Sequence, residues 1–243
     1  MIDTTLYFDR DIDLDDLLEK LKKLPASIRP VYFSESKGEV IKGNQFSNKE
    51  NFHAFMKNNP KGFFLYTEDK TCIHISIPTT GYIRLSMSLD GNFSRKLIKI
   101  IFQSLANKKL IFGYSCDYNE YKHRNQYDLM LGNSQIESWV GRQLDKYIPG
   151  VYWYTLLSER LMRQHGIKIE DIIPQTVASE SLGDSALHLL KFFEKPEEWA
   201  KNADRMDYLC EKMDGLFSRR DVEKAMAGVT KLFEYDEVIA NWR

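Results

Sequence analysis

Hydrophobic and polar positions follow two distinct rhythms along this chain. Between Thr71 and Ile77, the residues Ile73, Ile75 and Ile77 share one face, and Cys72, His74 and Ser76 share the other. The segment Tyr82–Leu89 repeats the pattern, with Ile83, Leu85, Met87 and Leu89 opposite Tyr82, Arg84, Ser86 and Ser88. A period of two predicts strands with one buried face. With Gly62–Tyr66 before them and short turns between, the three predict an antiparallel meander that needs a helical cover. The rhythm then changes. After an expected turn at Asp90-Gly91-Asn92, Phe93, Leu97, Ile100, Ile101 and Leu105 recur at helical spacing. Ile98 and Phe102 widen the stripe, predicting a well-buried helix over Phe93–Ala106. Leu110–Tyr114 returns as a strand.

The flanking segments read in the same terms. Leu6–Phe8 predicts a short strand. Asp11–Leu24 predicts a helix, with Ile12, Leu14, Leu17, Leu18, Leu21 and Leu24 near helical spacing, acids at its start, lysines at its end and Pro25 as its stop. Pro30–Phe33 predicts a strand. Ser47 and Glu50 fit a capping box for a helix to about Lys57. In the second half, Tyr127–Leu131, Ile136–Val140, Val151–Leu157 and Ala186–Phe193 read as extended. Ser158 begins a short helix ending at His165-Gly166. Ile173–Gly183 reads as a long surface loop. Pro196 opens a long helix to about Met213, and Arg219–Met226 reads as another. The expected fold class is α+β, with largely antiparallel sheet or sheets covered by helices and room for two similar lobes. The expected organisation is a single domain over residues 1–243, in which residues 200–243 form a helical C-terminal extension.

Composition narrows the function classes. The chain has 243 residues, 43% hydrophobic and 28% charged, and a formal net charge of −1. Without a global basic field, nucleic acid is not the expected partner. Arg95, Lys96, Lys99, Lys108 and Lys109 are read as a solvated helix face. The first residues, Met1-Ile2-Asp3-Thr4-Thr5, show no signal-peptide pattern, and no apolar run reaches membrane-spanning length. Together with three widely spaced cysteines, Cys72, Cys116 and Cys210, this leads to the expectation of a reduced, cytoplasmic protein with no membrane partner.

The common catalytic patterns fail at identifiable positions. Asp9, Asp11, Asp13 and Asp15 alternate as in a calcium loop, but Leu14 stands where the glycine belongs and Lys20 where the bidentate glutamate belongs. Cys116 and His123 lack a second ligand pair, so no metal is expected. Gly113-Tyr114-Ser115, Gly132-Asn133-Ser134 and Gly183-Asp184-Ser185 carry Asp117, Ile136 and Leu187 where a nucleophile elbow needs its second glycine. No glycine-rich phosphate cradle occurs, so no cofactor is expected and no catalytic residue is assigned.

One segment carries a resemblance. Tyr147-Ile148-Pro149-Gly150-Val151-Tyr152-Trp153-Tyr154-Thr155-Leu156-Leu157-Ser158 runs from a proline-glycine turn through an aromatic strand to a Leu-Leu pair and a short helix. It resembles the immunity-protein family linked to type VI secretion and polymorphic toxin systems. That family has a Gly-x-x-Trp-x-x-x-Leu-like signature late in the domain, here Gly150, Trp153 and Leu157. The upstream order of strands, apolar helix and strand, and the later Ala186–Glu194 with Pro196-Glu197-Glu198-Trp199, also resemble the family. The resemblance covers Gly62 to Trp199. It implies a bacterial inhibitor that is not an enzyme and that binds and neutralises a cognate toxin in the cytoplasm.

On that reading, Asp11, Asp13, Asp15 and Asp16 would meet a basic toxin surface. Tyr118, Tyr121 and Trp139, in less regular segments, are the aromatic candidates for contact with the partner. Tyr152, Trp153 and Tyr154 are expected in the core first. Two alternatives stay open: an enzyme with a dispersed site, for example Cys116, His123 and a carboxylate, and a self-associating adaptor.

Overall fold

The computed structural model describes residues 1–41, 43–90, 95–183 and 186–243. The expected turn at Asp90-Gly91-Asn92, the helical position Phe93 and the Asp184-Ser185 pair fall wholly or partly outside these residues. The fold is mixed α+β, and it divides into two compact units. The first comprises Met1–Ser115, Leu156–Ser158 and Glu180–Leu189; the second comprises Cys116–Thr155, Glu159–Ser179 and Leu190–Arg243.

A nine-stranded sheet draws most of its residues from the first unit. In chain order its strands are β1 (Ile2–Phe8), β2 (Tyr32–Ser34), β3 (Gly62–Tyr66), β4 (Cys72–Ser76), β5 (Ile83–Leu89), β6 (Leu110–Asp117), β9 (Tyr154–Ser158), β10 (Ala178–Ser181) and β11 (Leu187–Lys191). Their spatial order is β10-β11-β9-β6-β1-β5-β4-β3-β2. The meander read from the alternating pattern is present, with Leu65 opposite Ile73, Ile73 opposite Met87, and Ile75 opposite Leu85. β1 pairs antiparallel with β5, setting Leu6 against Leu85 and Thr4 against Met87. One register therefore gathers Leu6, Leu65, Ile73, Ile75, Leu85 and Met87 into the buried core, as a period of two requires.

Helices complete that core. Helix α1 (Leu14–Lys22) is capped by the Asp13 side chain and buries Leu17, Leu18 and Leu21. Helix α3 (Arg95–Leu105) buries Ile98, Ile101, Phe102 and Leu105. Helix α2 (Lys49–Asn58) starts one residue later than the expected capping box. Its cap is Asn48, whose side chain accepts from the Asn51 amide. Phe52 and Phe55 of α2 meet Phe33 and Phe63, and Phe52 also meets Phe46. Edge-to-face rings of this kind add to plain burial.

The second unit is built differently. Helix α4 (Tyr118–Asn125) leads into a two-stranded antiparallel sheet of β7 (Gln126–Leu131) and β8 (Ser134–Trp139). The helices that follow are α5 (Glu159–Gln164), α6 (Ile169–Ile172), α7 (Trp199–Lys212), α8 (Arg219–Met226) and α9 (Leu232–Ala240). Tyr127 packs with Val140, Phe217, Val222, Met226, Tyr235 and Ile239, and Leu129, Leu131 and Ile136 close over this cluster. The loop expected over Ile173–Gly183 is corrected: Ile173–Gln175 is a short 3-10 turn and Ala178–Ser181 is β10. The polar sequence Ala-Ser-Glu-Ser hides this strand, whose pairing comes from the sheet and not from an apolar face. Among the described residues, no helix is long and apolar enough to cross a membrane.

The Tyr235 hydroxyl is buried with no hydrogen-bond partner among the described residues. A buried hydroxyl left unbonded opposes folding, so Tyr235→Phe is expected to be neutral or to stabilise by up to about 1 kcal/mol. Urea denaturation checks this, and a loss above about 1 kcal/mol would mean that the hydroxyl is bonded in solution.

Candidate protein-binding surface and its polar support

The site begins with a helix that lacks an apolar stripe. In Tyr-Asn-Glu-Tyr-Lys-His-Arg-Asn, the buried residues of α4 are Glu120, Arg124 and Asn125. The Asp117 side chain caps it by accepting from the Asn119 amide at 2.8 Å. Glu120 and Arg124, four residues apart, face inward together. Glu120 Oε1 accepts from Arg124 Nε and Nη2, both at 3.3 Å, and its Oε2 accepts from the Trp153 amide at 3.4 Å. Arg124 Nη1 donates to Asp207 Oδ1 of α7 at 2.9 Å. The second Asp207 oxygen is 2.9 Å from His123 Nε2. The His123 ring lies 5.5 Å from that of Trp199, and its backbone carbonyl accepts from Arg219.

This network places two carboxylates and a guanidinium where water is excluded. Burial pushes the Glu120 carboxyl up from 4.5 to about 7, against the opposing pull of Arg124 and the Trp153 amide. Burial works to raise Asp207 as well, but the His123 hydrogen bond and the Arg124 charge outweigh it and hold Asp207 below its ordinary value. Burial raises the Cys210 thiol, so it is not an activated thiolate.

The same helix organises the turn that carries the family-like signature. Asn125 Nδ2 donates to the carbonyls of Val140, Gly141 and Pro149, and its Oδ1 accepts from the Tyr152 hydroxyl at 2.6 Å. Gly150 has φ +124°, a conformation that favours glycine. Trp153 and Leu157 are buried. The signature residues therefore act as internal framework and do not offer a contact surface.

The aromatic candidates Tyr118 and Tyr121 stand on the same helix, less buried than its inward-facing charged groups. Tyr118 is exposed. Tyr121 stacks on Trp139 of β8 with centroids 5.1 Å apart and an interplanar angle of 25°. The Arg142 guanidinium sits 5.4 Å from the Trp139 ring centroid, a cation–π arrangement. Two of the three aromatic candidates are thus brought into contact, and Tyr118 lies one turn from Tyr121 on the same helix. The acidic candidates gather around the start of α1 in the other unit. All four are exposed. Asp13 serves as the helix cap, Asp11 pairs with Lys109, and Asp16 pairs with Lys20 at 3.0 Å.

The charged network was missed in the sequence. Its one local signal is the Glu120–Arg124 spacing; Asp207 stands 83 positions from Arg124. Cys116 is buried at the end of β6, and the carboxylate partner of His123 is Asp207. Among the described residues, no three His, Cys, Asp or Glu side chains are grouped to hold a metal ion. In comparisons with known proteins, the chain matches no family model, no curated protein and no solved structure.

Proposed function

We propose that this chain is an immunity-type binding protein that neutralises a cognate bacterial toxin in the cytoplasm, without catalysis of its own. The observation that carries the binding reading is the half-buried Tyr121–Trp139 stack with Arg142 over it and exposed Tyr118 beside it. Tyr, Trp and Arg are the residues that dominate protein–protein binding energy. Their rings here are held in place before a partner arrives, because α4 is anchored by its buried face. Such preorganisation lowers the ordering cost of association. The toxin part of the proposal comes from the resemblance at Gly150, Trp153 and Leu157.

The test is affinity capture of the tagged chain from its native cells, with mass spectrometry of what stays bound. One stoichiometric protein, toxic when expressed without this chain, is the expected outcome. Trp139→Ala should weaken binding of that protein by about 2 kcal/mol, as truncating a central aromatic anchor does. Retained affinity in this variant would remove the aromatic stack from the interface.

A second reading has its own observation. His123 is partly accessible and is oriented by Asp207, the base-and-carboxylate arrangement of many hydrolytic sites. It predicts a turnover that His123→Ala abolishes and Trp139→Ala spares.

A further inference from the structure

We propose that the β7–β8 hairpin docks an extended, cationic segment of the partner protein as a third strand. This rests on the reading that the chain binds a protein, and it names the chemistry of the segment bound.

The first observation is the edge. The hairpin is two strands wide, so among the described residues each strand has one edge without a neighbouring strand. Among the described residues, no backbone group between Tyr127 and Trp139 is bonded outside the hairpin. In an antiparallel pair the inter-strand bonds use alternate residues, which leaves the remaining N–H and C=O groups pointing outward. Proteins blunt such edges with lysine, proline or bulges. Gln-Tyr-Asp-Leu-Met-Leu and Ser-Gln-Ile-Glu-Ser-Trp contain no lysine, arginine or proline, and their six-residue register runs without a bulge.

The second observation is the charge pattern on the outer face. Asp128 stands directly opposite Glu137. Like charges placed directly across a ladder oppose pairing. Both side chains are exposed, and neither has an ion pair among the described residues. A guanidinium or ammonium placed beside them would turn this repulsion into two attractions.

The third observation is what flanks the acids. On one side Met130, 59% exposed, faces Gln135; on the other, Trp139 faces Gln126. Gln126 is itself buried to 7% exposure, and its Oε1 lacks a hydrogen-bond partner among the described residues. Across the face, the order is thioether, acidic pair, indole, at the two-residue spacing of a strand. The complementary segment is therefore extended, with a cation at its centre and apolar side chains two residues to either side. Main-chain bonds to the open edge would supply affinity, and the alternating side chains would supply specificity.

The probe is the peptide acetyl-Leu-Thr-Arg-Thr-Leu-amide, titrated into the full chain and followed through backbone amide NMR shifts. The control peptide carries Glu in place of Arg. Saturable shifts centred on residues 126–139 are expected for the first peptide, with at least tenfold weaker binding of the control. Asp128→Asn combined with Glu137→Gln should weaken the Arg peptide at least tenfold. Because that change removes a repulsion, its melting temperature should be equal to or above the parent's, which separates lost binding from lost folding. Three results would overturn the proposal: shifts centred on the acids of α1 instead, affinity unchanged in the neutralised variant, or a concentration-dependent dimer in sedimentation that the variant tightens. A toxin captured with equal affinity by parent and neutralised chain overturns this docking site and leaves the immunity reading standing. Peptide binding at the hairpin with no toxin recovered does the reverse.

Discussion

Arg124→Met is expected to destabilise the protein by about 3–5 kcal/mol at pH 8, the usual loss when one partner of a buried ion pair is removed. Arg124 joins Glu120 to Asp207, and both carboxylates are buried. Methionine keeps much of the volume but leaves two anions without their shared cation. The penalty should shrink at pH 5.5. With Glu120 raised from 4.5 to about 7, the folded chain binds its proton more tightly than the unfolded chain. That contribution to stability is fully present below about pH 4.5 and is lost as pH rises through about 7. Removing Arg124 takes away a cause that lowers Glu120, so the protonated form is favoured further and can occupy the site as a neutral acid at pH 5.5. Asp207, held below its ordinary 3.8, loses its contribution only at more acid pH and does not intrude on this window. Urea titrations of parent and variant at both pH values check the prediction. An equal loss at pH 5.5 and pH 8 would show that Glu120 does not titrate between them.

Gly62→Ala is expected to cost roughly 3 kcal/mol or more, as strain at a special backbone conformation combined with a steric clash does. Gly62 opens β3 with φ +133°, a region that side-chain-bearing residues rarely enter. A Cβ there would lie 2.3 Å from the Ile75 carbonyl oxygen and 3.0 Å from Ser76 Cα. Both atoms are backbone of β4, and Gly62 pairs with Ser76, so neither can yield without disturbing the ladder. Gly38→Ala provides the comparison. It also has positive φ, at +84°, but its Cβ would meet nothing within 4 Å, so its loss should be the smaller. Thermal unfolding of the two variants measures the difference, and equal losses would show that the close approach to β4 carries no energy.

The β3–β4–β5 meander and its helical cover were legible because their information is local. Isoleucine at 73 and 75, and leucine at 85, can reach the core only if the strand alternates, and they occupy the same face of two neighbouring strands. The α1 helix was legible for a similar reason, since a leucine stripe, an acidic start and a following proline all lie within a few residues. The α2 start was displaced by one residue because Ser47 and Asn48 are both good caps. The choice between them depends on which one the incoming chain leaves extended, and Asn48 is the residue found so.

By itself the sequence determined the alternating strands, the apolar helices and the absence of the common catalytic motifs. Only the tertiary structure decided the rest. It made α4 a helix although its buried residues are Glu120, Arg124 and Asn125, a set that no hydrophobic pattern marks. Those groups tolerate burial only because Asp207, the Trp153 amide and the carbonyls of Val140, Gly141 and Pro149 satisfy them, and those partners come from distant positions. It also paired Tyr121 with Trp139 and set Asp128 against Glu137. Hydrophobic burial is read from spacing along one segment. Polar satisfaction and surface juxtaposition are properties of pairs, and the fold alone selects the pairs.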